Sequence, residues 1–416
     1  GGKPAAADPE PGPGPRPSPE AELVHYVLVT ESEMINRLGD TVGTVTLWKV
    51  AEGEKPAKLA TLLDEKGNAR AGSVSVRGGV VYAFANGDMA STLWKVTAEG
   101  EAREIASFEG QANGIIESGG VRYILNQVSW HPNYAARVWK LTAEDEVSEL
   151  ATLNGEVTAA ASGGVLYVLG GKRKEDGSPD VTTVWKITAE GKVRSQIIPS
   201  SIRSQITASG GDLYVLGQEW KDGQWDNINA KMWKITAKGK VSELAVLDDF
   251  NHSYVFPAAA DTLYVVGGKG SIGLYNNGIG VITVWKVTTK GEAAELASLT
   301  SETGSLHVYA HKLNEGILYF AGHEQAGNKD TAKVWKVTSE GNAGEFATLV
   351  NTRRSSFAMN LTLGEGILYV AGNETTARGG IAKVWKVTPE GEVSELASLT
   401  DGRRGGIAES IVSVWE

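Results

Sequence analysis

A Trp-Lys pair recurs eight times along this chain at nearly constant spacing, and that recurrence limits what the chain can fold into. The tryptophans are Trp48, Trp94, Trp139, Trp185, Trp233, Trp285, Trp335 and Trp385, separated by 46, 45, 46, 48, 52, 50 and 50 residues. A tyrosine keeps step with them at Tyr26, Tyr82, Tyr123, Tyr167, Tyr214, Tyr264, Tyr319 and Tyr369. A fixed period of this length marks a repeat array, in which each unit buries its apolar surface against its neighbours. The 416 residues would otherwise suggest two or three domains. Here they read as one repeat domain, 23–416, behind a tether at 1–22.

The last full repeat shows the unit most clearly. Phe357 to Leu363 reads as a first strand, Ile367 to Ala371 as a second, Ala382 to Thr388 as a third and Val393 to Leu399 as a fourth. These segments are rich in β-branched and aromatic residues and are bounded by glycine. Gly364-Glu365-Gly366 and Pro389-Glu390-Gly391 lie between them as turns. The recurrent Glu-Gly suits a hairpin with glycine in the left-handed position after a type I turn. No segment carries a sustained 3.6-residue periodicity, so helix is not expected. Four antiparallel strands every 45–50 residues are the mark of a propeller blade. The fold class expected is therefore all-β: an eight-bladed β-propeller with four antiparallel strands per blade. The lysine after each tryptophan lays its stem on apolar surface while its amine reaches the rim, a structural role that fits its presence in every repeat.

The two ends imply how the array closes. The C-terminal segment RRGGIAESIVSVWE matches the first strand of the preceding repeat and then stops, whereas the N-terminal repeat begins at Val24 to Thr30 with a second strand. Ala408 to Trp415 should therefore complete a first blade running from Leu23 to about Leu62, which removes an unpaired edge.

The residues of the repeat resemble kelch-type propellers. Leu166 to Gly171 (LYVLGG) and Leu263 to Gly268 (LYVVGG) are similar to the kelch strand that ends in a glycine pair. Glu395 to Arg404 (ELASLTDGRR) is similar to the kelch outer strand and the arginine after it. The pair becomes Ala321-Gly322 and Ala371-Gly372 in two repeats, and Val393 and Ser394 stand where a kelch tryptophan is expected. The resemblance implies a fold and transfers no functional residue.

Composition narrows the function classes. The net charge is -10 and the short basic clusters sit in separate loops, which argues against nucleic acid as a partner. The chain has no cysteine, which excludes disulfides, thiolate metal sites and a cysteine nucleophile. No stretch approaches the ~18 apolar residues of a membrane span. The first twenty residues hold seven of the thirteen prolines and read as an extended tether. It resembles the spacer of a bacterial lipoprotein, which implies an extracytoplasmic, periplasmic or cell-surface location. It also reads as a plain disordered extension, and both readings stay open.

Candidate functional residues emerge when the framework is subtracted. The surplus aromatics Trp130, Tyr134, Trp220, Trp225, Tyr254, Tyr275 and Tyr309 lie in or beside the variable loops, as do His131, His252, His307, His311 and His323. His252 and Tyr254 stand twelve and ten residues before Tyr264, and His307 and Tyr309 stand likewise before Tyr319. The two pairs are expected near the mouth of a central channel. Arg353 and Arg403 enter the same side and suit an anionic group. Amphipathic aromatics of this kind suit glycan, peptide or protein ligands. The leading reading is thus a monomeric, non-enzymatic binding propeller without cofactor, metal or catalytic set. The alternative is a lyase or hydrolase with a His/Tyr site at the channel mouth.

Overall fold

The structure is a computed structural model. It describes residues 21–34, 41–66, 69–87, 89–129, 135–173, 179–198, 202–220, 228–247, 251–259, 261–269, 281–301, 305–350, 354–377, 379–403 and 405–416. The described residues contain strands and turns and no helix. Among the described residues thirty-two strands form seven sheets, six of four strands and one of eight. In each four-stranded sheet the strands follow one another in chain order, as a meander. Cα packing divides the chain into two compact units. One comprises 1–21, 116–271 and 284–295, and the other 22–115, 272–283 and 296–416.

The eight-stranded sheet contains the chain's two ends. The C-terminal strand Gly405–Trp415 pairs antiparallel with Leu23–Met34, from Leu23 opposite Trp415 to Ser32 opposite Gly405. Glu416 anchors this seam. Its carboxylate accepts from the Tyr26 hydroxyl and pairs with Lys49 Nζ at 2.6 Å. The Glu22 and Glu416 backbones exchange hydrogen bonds of 2.9 and 3.0 Å. Eight separate sheets were expected, and the count of seven has a local cause. The strands Gly380–Val387 and Gly405–Trp415 touch through a single bridge, Gly380 to Gly405. A Cβ on Gly380 would stand 2.8 Å from the Gly406 carbonyl oxygen, so only glycine allows the approach.

The registers explain the repeat. Each framework tyrosine with a described register faces the lysine of its Trp-Lys pair, as in Tyr26 with Lys49, Tyr167 with Lys186, Tyr214 with Lys234 and Tyr369 with Lys386. The amines then find local partners. Lys234 lies 2.9 Å from Asp212 and 5.6 Å from the centre of the Tyr214 ring, and Lys386 lies 2.7 Å from Glu52. The lysine is structural, as expected.

A β-bulge falls at the tryptophan itself. Between third and fourth strands the register shifts just before Trp48, Trp94, Trp139, Trp233, Trp335 and Trp385. An extra residue in one strand bends it and sharpens its twist. The bulged residue turns its carbonyl toward the outer turn of the next repeat. A Cβ on the turn residue Gly341 would stand 2.5 Å from the Leu296 oxygen of the outer strand before it, and one on Gly391 2.7 Å from the oxygen of the bulged Phe346. Both glycines hold positive φ, 87° and 90°. A threonine closes the turn in seven of the eight repeats, and Ala51 stands at that position in the first. In the last repeat Gly391 N donates to the Thr388 carbonyl at 2.9 Å and Glu392 N to the Thr388 hydroxyl at 3.2 Å.

The packed faces of successive sheets make the core. Tyr26, Leu28, Val45 and Leu47 join Val81, Ala83 and Ala85 of the next sheet in one buried cluster.

The contact at the turn glycine separates two otherwise similar substitutions. Gly53 also has positive φ, 79°, but an added Cβ there meets nothing within 4 Å among the described residues. Gly53→Ala should cost about 1–2 kcal/mol from the left-handed backbone alone. Gly341→Ala should cost about 1–3 kcal/mol more through the clash with the Leu296 carbonyl. Scanning calorimetry should therefore show the lower melting temperature for Gly341→Ala. Deleting Gly405 to Glu416 should lower it further or drive oligomerisation; an unchanged transition would show that the terminal seam is not needed.

Candidate functional site

The site is built on a long hairpin, Ser305–Asn314 with Ile317–Ala326. Regular pairing outward from its turn would set His307 opposite Glu324. A bulge between Val308 and Ala310 leaves Tyr309 without a cross-strand partner and moves the register by one residue. His307 now faces His323. Gly322 makes the approach possible, because a Cβ there would fall 1.8 Å from the His307 carbonyl oxygen. The second glycine of the degenerate Ala-Gly pair is thus a packing requirement at this bulge.

The result is a compact cluster. The His307 and His323 rings stack with centroids 4.3 Å apart and an interplanar angle of 6°. Tyr309 lies over His323 at 5.5 Å, and Phe357 meets His323 edge-on at 4.8 Å. His323 Nε2 is 3.5 Å from Asp330 Oδ1. Asp330 comes from the third strand, Lys329–Val337, and its backbone N–H donates to the Ser355 hydroxyl at 3.2 Å. His323 Nδ1 and His307 Nε2 are buried without hydrogen-bond partners among the described residues. Tyr309 is the open member, 48% exposed.

Burial sets the protonation. It pushes His323 down to about 3, with the neighbouring His307 adding to the effect. It lowers His307 as well, and raises the Tyr309 hydroxyl with help from Asp330. Both imidazoles are therefore neutral and the phenol protonated at neutral pH. A neutral imidazole tied to a carboxylate through one nitrogen can accept a proton on the other. Among the described residues no group of three or more His, Asp or Glu is arranged to hold a metal ion.

On the same sheet, Glu324 and Glu345 clasp Lys333, with Lys333 Nζ 2.6 Å from Glu345. The Ser301 hydroxyl donates to Glu324. A depression of about 160 Å³ lies there, lined by Ser298, Thr300, Glu324, Lys333 and Trp335 among others. Lys383 with Glu374 and Glu395 repeats the clasp one unit later, which marks it as a feature of the repeat.

The other expected site residues are placed as follows. Trp130, His131, Tyr134, Trp225, Tyr275 and Arg353 lie outside the described residues. Trp220 ends the strand Asp212–Trp220 opposite Ile228, and Tyr254 faces Val266 from the strand Asn251–Ala259 that also holds His252. The side chains of Trp220, His252 and Tyr254 lie outside the described residues. Arg403 is 80% exposed toward solvent and pairs with Asp401 at 3.1 Å. His307 and Tyr309 are therefore the two expected residues that the described structure brings together. His323 joins them through the bulge shift, and Asp330 through strand pairing that no motif announces.

No family model and no curated protein matches the sequence. Solved structures do match. Oligopeptidase B from Leishmania major aligns with 82% of this chain and 50% of its own, at 9% identity and a TM-score of 0.51. A prolyl endopeptidase aligns with 78% of this chain and 48% of its own, at 15% identity and 0.51. Porphyromonas gingivalis dipeptidyl peptidase 4 aligns with 89% of this chain and 58% of its own, at 12% identity and 0.50. The chain spans about half the length of these peptidases. The fold is a β-propeller, like the propeller domains of peptidases. The expectation of a non-enzymatic propeller for glycan, peptide or protein ligands is corrected here. The three propellers named above belong to peptidases, and Tyr309, the surplus aromatic whose side chain is described, lies over an imidazole linked to a carboxylate. Counting surplus aromatics overweighted surface area, because it could not show which rings turn inward.

The buried histidines give stability a definite pH dependence. His25 and His311 are each pushed down to about 4 by burial, and His323 to about 3, from an ordinary 6.5. The unfolded chain binds protons at these sites first, so their contribution is intact above pH 6.5 and is lost as pH falls toward 4 and 3. Glu409, unpaired in the bulge of the C-terminal strand, has the opposite sign. Burial raises it to about 7 from an ordinary 4.5, so its contribution is full below 4.5 and is lost as pH rises through 7. His323→Phe should flatten the fall in melting temperature from pH 6.5 to 4, and Glu409→Gln should steepen it. Parallel curves for parent and variants would refute these assignments.

Proposed function

We propose that this chain takes part in hydrolysis of peptide-type bonds, with the His307–His323–Tyr309–Asp330 cluster as the proton-handling part of its site. The observation that carries this reading is the buried neutral His323, tied to Asp330 on one side and stacked on His307. The carboxylate fixes the tautomer, as an orienting acid does for a general base. Tyr309 is placed to meet substrate and to donate its hydroxyl hydrogen to a carbonyl oxygen that gains charge. The imidazoles take up the proton of the attacking water and hand it to the departing amine as the C–N bond breaks. The likeness to peptidase propellers supports a hydrolytic setting, and the activity of a whole enzyme of that size is part of the proposal. We further read the repeat as kelch-like and the thirty-two strands as eight blades, with the eight-stranded sheet counting as two.

Fluorogenic peptides and a chromogenic ester would be incubated with the purified chain. Turnover is expected for the parent. A loss of about 10²-fold in kcat is expected for His307→Gln and for Asp330→Asn, the scale of general-base catalysis. Tyr309→Phe should keep the fold and also lower kcat. A parent preparation no faster than buffer, or variants as fast as the parent, would sink the reading.

A further inference from the structure

The outer strand Val193–Ile198 departs from a rule that six other repeats obey. Six described third-to-fourth strand pairs carry the bulge at the tryptophan. The pair formed by Pro179–Ile187 and Val193–Ile198 runs without a shift from Thr182 opposite Ile198 to Ile187 opposite Val193. The chemistry changes with the geometry. Trp94, Trp139, Trp233, Trp335 and Trp385 face Glu104, Glu149, Glu243, Glu345 and Glu395. Trp185 faces Ser195 instead. The contact from the bulge carbonyl to the next turn glycine is also replaced. Gln196 Nε2 donates to the Gly239 carbonyl at 2.6 Å.

Bulges and charged residues are the devices that keep exposed strand edges from pairing with other chains. This strand ends its sheet and lacks both at the position where the others have them. It also exposes apolar side chains: Val193 is 43% and Ile197 63% exposed. Both point to the same face, since alternate residues of a strand share one.

We infer that this edge is an interface with a second copy of the same chain, in which two Val193–Ile198 strands pair antiparallel about a twofold axis through Ser195. The strand is self-complementary in that register. Val193 of each copy faces Ile197 of the other, which buries the two exposed apolar residues against each other twice. Arg194 faces Gln196, and Ser195 faces Ser195. No like charges oppose, which antiparallel pairing penalises when they are directly opposite. A symmetric contact of this kind closes on itself as a dimer. It replaces the sequence-based expectation of a monomer.

The chain has no cysteine, so one introduced thiol reports the register cleanly. Directly opposed antiparallel residues have Cα atoms about 4.5–5.5 Å apart, within the reach of a disulfide. Ser195→Cys in the full chain should form a disulfide-linked dimer under mild oxidation, whereas Ser148→Cys, on the outer strand Val147–Asn154, should not. Light scattering on the parent should give the mass of two chains. Ile197→Lys, at an exposed position, should give the mass of one chain with an unchanged far-UV dichroism spectrum. A parent that is monomeric at its highest soluble concentration overturns the inference. So does a dimer that survives Ile197→Lys while Ser195→Cys fails to cross-link.

Discussion

The outer strand of most repeats carries one residue more than its partner can pair, and much of the packing depends on that excess. The bulge at the tryptophan bends the strand and turns a carbonyl outward. The neighbouring repeat meets that carbonyl with a turn glycine that has no side chain to hold it off. The threonine before the turn fixes the glycine by accepting and donating locally. Tryptophan, bulge, threonine and glycine are therefore one device, repeated because each copy docks on the next. The lysine is set separately, by pairing between second and third strands that places it across from the framework tyrosine with or without the bulge. Where the bulge is missing, at Val193–Ile198, a glutamine side chain replaces the carbonyl contact and the strand edge is left flat.

A second bulge, on the inner strand, creates the candidate site. It frees Tyr309 from the ladder and shifts His307 from Glu324 to His323. One residue of register thus exchanges a His-Glu pairing for a stacked imidazole pair. Burial then makes the pair chemically distinctive, because a charged imidazole is costly in a poorly solvated place. His323 is 4% exposed and stays neutral. Its link to Asp330 gives direction to whatever proton it accepts. The same inner-strand device recurs in the C-terminal strand, where the unpaired residue is Glu409 and the result is a carboxyl raised to about 7.

Much of the architecture was legible in the residues alone. Eight Trp-Lys pairs and eight tyrosines at matched spacing announced a repeat, and glycine with β-branched runs announced strands. The unmatched ends announced that Ala408 to Trp415 would join the blade that starts at Leu23, and the strand Gly405–Trp415 does pair with Leu23–Met34. Turn chemistry was legible too, because a left-handed backbone selects glycine at a fixed place. The second and third strands of the last repeat run longer than their apolar segments, to Thr375 and from Gly380, since backbone ladders continue where side chains no longer signal them.

The candidate site was only half legible. His307 and Tyr309 stood out once the repeat was subtracted, because they were residues the framework did not need. His323 and Asp330 acquired their roles from pairing across strands. Their alignment depends on a single inserted residue, and no local preference reports where a ladder slips by one. The same holds for the joined sheet, which rests on the close approach of Gly380 and Gly405. Sequence by itself determined the period, the strands, the turns and the meeting of the ends, because these follow from local geometry and repeated burial. Tertiary structure alone decided which side chains face one another, because bulges and the burial around them are settled only when strands from distant parts of the chain come together.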